Sequence, residues 1–437
     1  MKSFPSVALQ APKILLPGPS ISIEKWAVVA CDQFTSQIQY WRDVEDYIGN
    51  APSTYHMIMP EAYLGTVREK DHAAGVFPAM RSYLSQKIFS TNDGFILVNR
   101  TLNGKSRLGL MANLDLEAYD FNPSSQSLIR ATEGTIIDRL PPRIAIREKA
   151  DLELPHILVL IDDPGYSVIE PLLQKIDKHS KVYDFDLMKD GGHISGYPIP
   201  AGEYQSIISA LEKLKSPSVQ SKKYHIKPET PPLLYAIGDG NHSLATAKAI
   251  WEKNKIHLPP DHLSRFALVE LVNLHDEAIL FEAIHRLLTL NNLDIKESCS
   301  QFFDNNITFK PCVDFSSLRS KIDDAKNNDQ IFGLFNDVAY YAVVLERPKH
   351  TLTVGNIQEW LDHLLSEKLL NDIDYIHGAD TIHELGTKAG HTGIYLPAMP
   401  KNALFRSVIK DGPLPRKTFS MGEASQKRYY LECREIK

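Results

Sequence analysis

The segment Leu233-Leu-Tyr-Ala-Ile-Gly-Asp-Gly-Asn-His-Ser-Leu-Ala-Thr-Ala-Lys248 constrains the fold more than any other. Leu233 to Ile237 is an apolar run of the length of one buried strand. Gly238, Asp239 and Gly240 break it. Leu244, Ala247 and Ile250 then recur at helical spacing, with Asn241 or Ser243 placed to cap the first turn. A chain that leaves a strand through a tight turn into a helix aims the unpaired N–H groups and positive dipole end of that helix at whatever lies over the turn. Such a helix start favours an anion. Asp239, Asn241 and His242 stand in the same turn and offer a carboxylate, an amide and an imidazole. Asp-Gly is also a common turn dipeptide, so a plain strand-to-helix connection is the competing reading.

Other stretches carry groups capable of chemistry. Trp26-Ala-Val-Val-Ala-Cys31 reads as a buried strand. Asp32 at its end either faces a ligand or caps the helix starting near Ser36, whose Tyr40, Trp41, Val44 and Tyr47 form a core stripe. Asn103-Gly104, between two strand-like runs, predicts a hairpin. Residues 129–147 hold Arg130, Arg139, Arg143 and Arg147 with Glu133 among them. On a helix Arg139, Arg143 and Arg147 would share a face, but Pro141-Pro142 argues for a break after Arg139. Guanidinium groups there suit phosphate or carboxylate, or simply a solvated face. Ile157–Ile161 reads as a central strand ending in Asp162 and Asp163, which either hold Mg²⁺ or close the strand at Asp163-Pro164-Gly165; the turn is preferred. Residues 167–178 read as helix, Gly191-Gly-His193 as a loop with a ligand-capable imidazole, and 215–232 as a surface connection.

A chain of 437 residues is long for one core and suggests two or three lobes. The expected division is an α+β region over 1–125, a core over 126–290 holding the Asp-Gly-Asn-His turn, an α+β insertion over 291–370, and a segment over 371–437 that returns to the core. The net charge of −6 gives no general attraction to nucleic acid or to an anionic membrane. No apolar run approaches the ~20 residues that span a bilayer, and the N-terminus lacks the apolar core of a secretory signal. Cys31, Cys299, Cys312 and Cys433 are scattered, without a Cys-x-x-Cys pair, which fits reduced thiols in the cytoplasm.

The Asp239-Gly-Asn-His242 segment resembles the Asp-Gly-(His/Asn)-His-Arg motif of the ParB/sulfiredoxin superfamily, which includes partition-protein nucleotidases, sulfiredoxin and free-serine kinases. The whole chain is similar to the domain-of-unknown-function family ten-fifteen, often labelled ParB-like. That likeness runs through Trp26–Thr35, Arg130-Ala-Thr-Glu-Gly134, Leu154-Pro-His156, Gly191-Gly-His193, Gly238–His242, Leu271–His275, Tyr375-Ile-His-Gly378 and Pro415–Glu423. It implies an α+β fold of mixed sheets with packed helices, containing a ParB/sulfiredoxin-like strand-turn-helix nucleotide site. His285 and Arg286 gain interest from the likeness alone. One position departs from it: many relatives have Arg directly after the second His, and here Ser243 stands there.

Sharper motifs are absent. Gly386-Thr-Lys-Ala-Gly390 lacks the Gly-Lys-Thr/Ser ending of a P-loop, and His383-Glu384 lacks a second His four residues on. Phosphoryl transfer needs an anion cradle, cations and a carboxylate that takes the proton of an attacking hydroxyl. The expected catalytic groups are Asp239, His242 and Glu133. Gly238, Gly240, Asn241, Ser243, Arg139, Arg143, Arg416 and Lys417 are expected to hold phosphate or nucleotide. Asp32, His193, His285, Arg286 and His377 are expected to face substrate. The function expected is a cytoplasmic phosphotransferase, kinase-like or a phosphatase, acting on serine, phosphoserine or a similar small hydroxy compound. ATP or ADP and Mg²⁺ are the expected cofactors. The partner is a phosphorylated small molecule, not a membrane or nucleic acid, and a homodimer is allowed. A ParB-like nucleotide sensor without turnover is the alternative. A metal-dependent phosphohydrolase using His193, Asp239, His242 and His285 is a second, although no two of those ligands share a local motif.

Overall fold

Asn103 and Gly104 both take positive φ, 51° and 75°, in the computed structural model of the chain. Strands β1 (Ile96–Leu102) and β2 (Lys105–Asp115) pair across them from Leu102 opposite Lys105. This is the two-residue hairpin its sequence predicts. The structure describes all residues except Ile136, Asp138, Arg139, Asn291, Asn292, Asn327 and Asn328, and the side chains of Pro142 and Leu290.

The hairpin belongs to a mixed sheet with β3 (Tyr119–Asp120), β4 (Ile129–Ala131), β5 (Leu158–Ile161), β6 (Tyr183–Asp186), β7 (His193–Pro198), β8 (Tyr235–Asp239) and β9 (Phe266–Asn273). Their order is β6-β7-β1-β2-β9-β5-β8-β4-β3. β5 and β9 run parallel, as do β8 and β4, whereas β5 and β8 run antiparallel. Both faces are covered, so apolar residues occupy consecutive positions instead of alternating with polar ones. Leu97, Leu110, Ala112, Val159 and Val269 face one core with Leu244, Ala247 and Trp251 of the helix Asn241–Asn254. Ile96, Val98, Met111 and Leu268 face a second core with Trp41, Val44 and Ile48 of the helix Ile38–Ile48 and Met80 and Tyr83 of the helix Arg68–Ser85. The α+β class is therefore as expected.

The chain divides into two units, residues 1–279 with 422–437, and residues 280–421. The division differs from the four segments expected. No boundary falls at 125/126, because β2 pairs with β9 and β9 with β5 within one sheet. The inserted part spans 280–421 instead of 291–370, and of the C-terminal segment only 422–437 belongs with the larger unit. In the smaller unit the strand Phe281–Leu290 pairs with Leu370–His377, His391–Tyr395 and Phe419–Met421.

Several local expectations are corrected. The strand expected over 26–31 is only Val28–Val29, and Tyr47 is exposed while Ile48 is buried in its place. Pro141 and Pro142 open the helix Leu140–Arg147 instead of breaking it, since the first turn has no use for their missing N–H groups. Residues 167–178 contain only the 3₁₀ turn Glu170–Gln174, with Pro171 inside it. The stretch 215–232 contains the helix Pro217–Tyr224, whose Gln220 and Tyr224 are buried.

Candidate functional site

β8 ends at Asp239, and Gly240 turns the chain with φ of +81° into the helix Asn241–Asn254. A Cβ on Gly240 would lie 2.9 Å from Cγ1 of Ile157 and 3.1 Å from its Cα, so both the left-handed backbone and the close approach require glycine here. No side chain caps the helix, contrary to the cap expected from Asn241 or Ser243. Asp239 instead holds the turn: its Oδ1 accepts the Gly240 N–H at 2.9 Å, while Oδ2 accepts from Lys427 Nζ at 3.1 Å. Asn241 keeps its Oδ1 buried without a hydrogen-bond partner among the described residues.

Topology brings four further chain segments to this end of the sheet. Leu158, the first residue of β5, lies opposite Asp239, so His156 and Ile157 approach beside the turn. Ala131 lies opposite Ile237 in the parallel pair, so Thr132 and Glu133 leave the sheet at the same end, and the Thr132 hydroxyl donates to the Ile237 carbonyl at 2.6 Å. The strand Tyr429–Tyr430 pairs with Val28–Val29, and the Ala30 N–H donates to the Arg428 carbonyl at 2.9 Å. This lays Cys31 and Asp32 alongside Lys427.

A chain of hydrogen bonds links these segments. His156 Nε2 is 3.2 Å from Ser243 Oγ, and Nδ1 is 3.0 Å from Tyr430 Oη. The Tyr430 hydroxyl donates to Cys31 Sγ at 3.1 Å and accepts the Cys31 N–H at 3.3 Å. Burial would raise the Asp32 carboxyl, but the His156 imidazole, the Gln33 amide and the Lys427 ammonium reverse this and hold it below its usual range. Burial, with Asp32 beside it, pushes the Cys31 thiol up to about 12, which keeps it neutral and a poor nucleophile.

The tail carrying Lys427 is anchored by buried charge. The Arg100 guanidinium donates to the carbonyls of Gly191, Ser425, Gln426 and Lys427. Arg428 pairs with Glu270 and Glu432 and donates to the Pro155 carbonyl, and all three charged side chains are buried. Mutual pairing offsets the desolvation that burial imposes on such groups.

A cavity of about 260 Å³ opens beside the cluster. Cys31, His156, Ser243 and Tyr430 form its polar side, and Met57, Met59, Leu64 and Ile146 its apolar side. Arg143 also lines it and donates to Glu61 at 2.6 Å, so this arginine is ion-paired beside the site. Among the described residues no three His, Cys, Asp or Glu side chains are grouped to hold a metal. Any Mg²⁺ here would need ligands from substrate phosphates, the usual arrangement for that ion.

Asp32, Glu133, Asp239, Asn241, His242 and Ser243 thus lie on segments that meet at one end of the sheet, with Gly238 and Gly240 shaping the turn. Other expected residues lie elsewhere. Arg139 falls outside the described residues. Arg147 pairs with Glu153. His193 is on β7, five strand spacings or roughly 24 Å from β8, and its ring is held by Asp184 and Asp186 at 3.0 and 2.7 Å. That separation also removes the ligand set proposed for a phosphohydrolase. Asp162 and Asp163 serve structure: Asp162 is buried against Lys223, Tyr224 and His275, and Asp163 accepts the Ser167 and Val168 N–H groups. His285, Arg286, His377, Arg416 and Lys417 belong to the smaller unit. There His285 is buried, stacks on Tyr395 and accepts the Leu396 N–H at 3.1 Å. Buried Arg286 bonds Gln358 and the carbonyls of Ile284 and Lys417. Arg416 lies over the Tyr375 ring.

Sequence reasoning missed Lys427 and Tyr430, which no local pattern marks. His156 was legible only as part of the Leu154-Pro-His156 block.

Three solved structures are among those to which the chain is distantly similar. A free serine kinase variant in complex with AMP is 10% identical, with a TM-score of 0.39 over 75% of this chain and 91% of that one. A conserved hypothetical protein from Pyrococcus furiosus is 11% identical, with a TM-score of 0.34 over 75% and 95%. SbnI with a C-terminal truncation, from Staphylococcus aureus, is 10% identical, with a TM-score of 0.36 over 73% and 85%. No curated protein matches the sequence. Residues 15–364 match the family described as "Protein of unknown function (DUF1015)", and the chain belongs to that family.

Proposed function

We propose that the larger unit is a small-molecule phosphotransferase, moving a phosphoryl group between a nucleotide and the hydroxyl of serine or a similar small compound. The observation that carries this reading is the Lys427–Asp239 pair, 3.1 Å apart at the start of an uncapped helix. A cation, a carboxylate and a helix N-terminus in one place meet the needs of phosphoryl transfer: charge neutralisation, a proton acceptor and an end of the helix dipole that favours anions. The ammonium of Lys427 and the first-turn N–H groups bind phosphate oxygens. Asp239, or Glu133 at the end of the adjacent parallel strand, takes the proton of the attacking hydroxyl, and His242 binds a phosphate oxygen or acts as general acid. The apolar wall formed by Met57, Met59, Leu64 and Ile146 suits the uncharged part of a bound molecule. Mg²⁺, when bound with the nucleotide, would neutralise phosphate charge, with Asp32 or Asp239 as the protein ligand. The likeness of Asp239-Gly-Asn-His242 to the ParB/sulfiredoxin motif supports the same site. Four unpaired cysteines, and the lack of a membrane-spanning helix among the described residues, suit a cytoplasmic enzyme.

The test is a transfer assay with ATP and serine on Asp239→Asn and His242→Ala. Each substitution is expected to abolish turnover while moving the melting temperature little. Wild-type turnover in both variants would remove this turn from the mechanism.

A further inference from the structure

Ser243 occupies the position where the ParB/sulfiredoxin motif has Arg, and its hydroxyl is 3.2 Å from His156 Nε2. With the proton on Nδ1, donated to the Tyr430 hydroxyl oxygen at 3.0 Å, Nε2 is bare and accepts from the Ser243 hydroxyl, and this is the tautomer that general-base catalysis requires. Tyr430 also meets the imidazole edge-on, with ring centroids 5.5 Å apart, which fixes the ring plane. Serine, imidazole and an orienting third group are the parts of an activated nucleophile. Ser243 and His156 both line the 260 Å³ cavity, so an electrophile bound there reaches the hydroxyl.

We propose that Ser243 is a catalytic nucleophile with His156 as its general base, and that it carries the phosphoryl group as a covalent intermediate. This rests on the phosphotransferase reading and adds a step to it. In the first half-reaction His156 Nε2 takes the hydroxyl proton, and Ser243 Oγ forms a bond to the terminal phosphorus of the nucleoside triphosphate. The bond from that phosphorus to the bridging oxygen breaks, and the nucleoside diphosphate leaves with the electron pair. In the second, the small hydroxy compound loses its proton to Asp239 or Glu133 and attacks the same phosphorus. Ser243 Oγ leaves and recovers its proton from His156. A phosphoserine in the first turn of a helix is favoured by the helix dipole, which stabilises the intermediate. The scheme gives separate work to the imidazole and to the carboxylates of the turn.

The experiment incubates the full chain with ATP and Mg²⁺ without acceptor, quenches in acid, and maps modified residues by tandem mass spectrometry. Transfer to serine is followed in parallel. An acid-stable phosphoryl group on Ser243, absent in Ser243→Ala and formed about a hundredfold more slowly in His156→Gln, is the expected result. Ser243→Thr keeps a hydroxyl and serves as the folding control, together with melting temperatures of every variant. Wild-type transfer in Ser243→Ala, with no adduct in the wild type, overturns the nucleophile while leaving the phosphotransferase reading intact. An adduct on Ser243 without transfer to serine supports the nucleophile and contradicts the proposed acceptor. Neither adduct nor transfer overturns both.

Discussion

Lys427 Nζ stands 3.1 Å from Asp239 Oδ2, although 188 positions of sequence separate the two residues. The carboxylate comes from the middle of the chain and the ammonium from the C-terminal tail, two residues before the strand Tyr429–Tyr430. The pair forms only because the tail lies against Val28–Val29 and is held by Arg100 and Arg428.

Replacing Lys427 with alanine removes the cation beside Asp239 and one of the charges that keep Asp32 ionised. Both partners of the ion pair are only partly buried, so the cost in stability is small, about 1 kcal/mol or less. Phosphoryl transfer should fall by at least about tenfold, as expected for loss of a charged contact made in the transition state. Melting temperature and transfer rate measured on the same preparation check both halves.

Arg428→Met acts through the anchor of the tail. It leaves Glu270 with Arg107 at 3.2 Å and Glu432 with the Tyr183 hydroxyl at 2.6 Å as remaining partners, both carboxylates still buried. Stripping one member from a buried ionic cluster costs on the order of 3–5 kcal/mol. A fall of that size in urea unfolding of the full chain, accompanied by loss of transfer, is the expected result.

In the smaller unit, burial first, then the neighbouring charges of Arg286 and His377, lower the His285 imidazole to about 3. The folded state therefore keeps this ring neutral while the unfolded chain protonates it near pH 6.5. A depressed folded value means that the contribution is fully present above about 6.5 and is lost as pH falls towards 3. His285→Phe, which keeps an aromatic ring against Tyr395, should flatten the acid limb of stability between those values. Urea midpoints for the wild type and variant across that range read the effect.

How much of this was legible in sequence depended on how local the determining interactions were. The Asn103-Gly104 hairpin and the strand-turn-helix at 233–254 are set by turn residues and apolar spacing within one window, and both form. Asp32 was legible as a polar residue at a strand end. The two-residue strands Val28–Val29 and Tyr429–Tyr430 carry too little pattern to announce themselves, and their pairing is what delivers Lys427 and Tyr430. A lone lysine in a polar tail has no periodicity to mark it. His193 drew attention as a ligand-capable imidazole, and His285 and Arg286 only through the family likeness. Ion pairing on a distant strand accounts for His193, and burial in the smaller unit for His285 and Arg286. Pro141-Pro142 misled because proline breaks a helix interior yet suits a first turn, and only the helix start distinguishes the two.

The central claim is that phosphate changes hands at the Asp239–Lys427 turn. Phosphorus NMR of the wild-type protein with Mg²⁺, ATP and serine tests it most directly. The account predicts growth of a phosphoserine resonance as the terminal phosphate signal of ATP declines, and neither change in Asp239→Asn. Unchanged spectra, with ATP binding still registered as a thermal shift, would contradict transfer and leave a nucleotide sensor in its place.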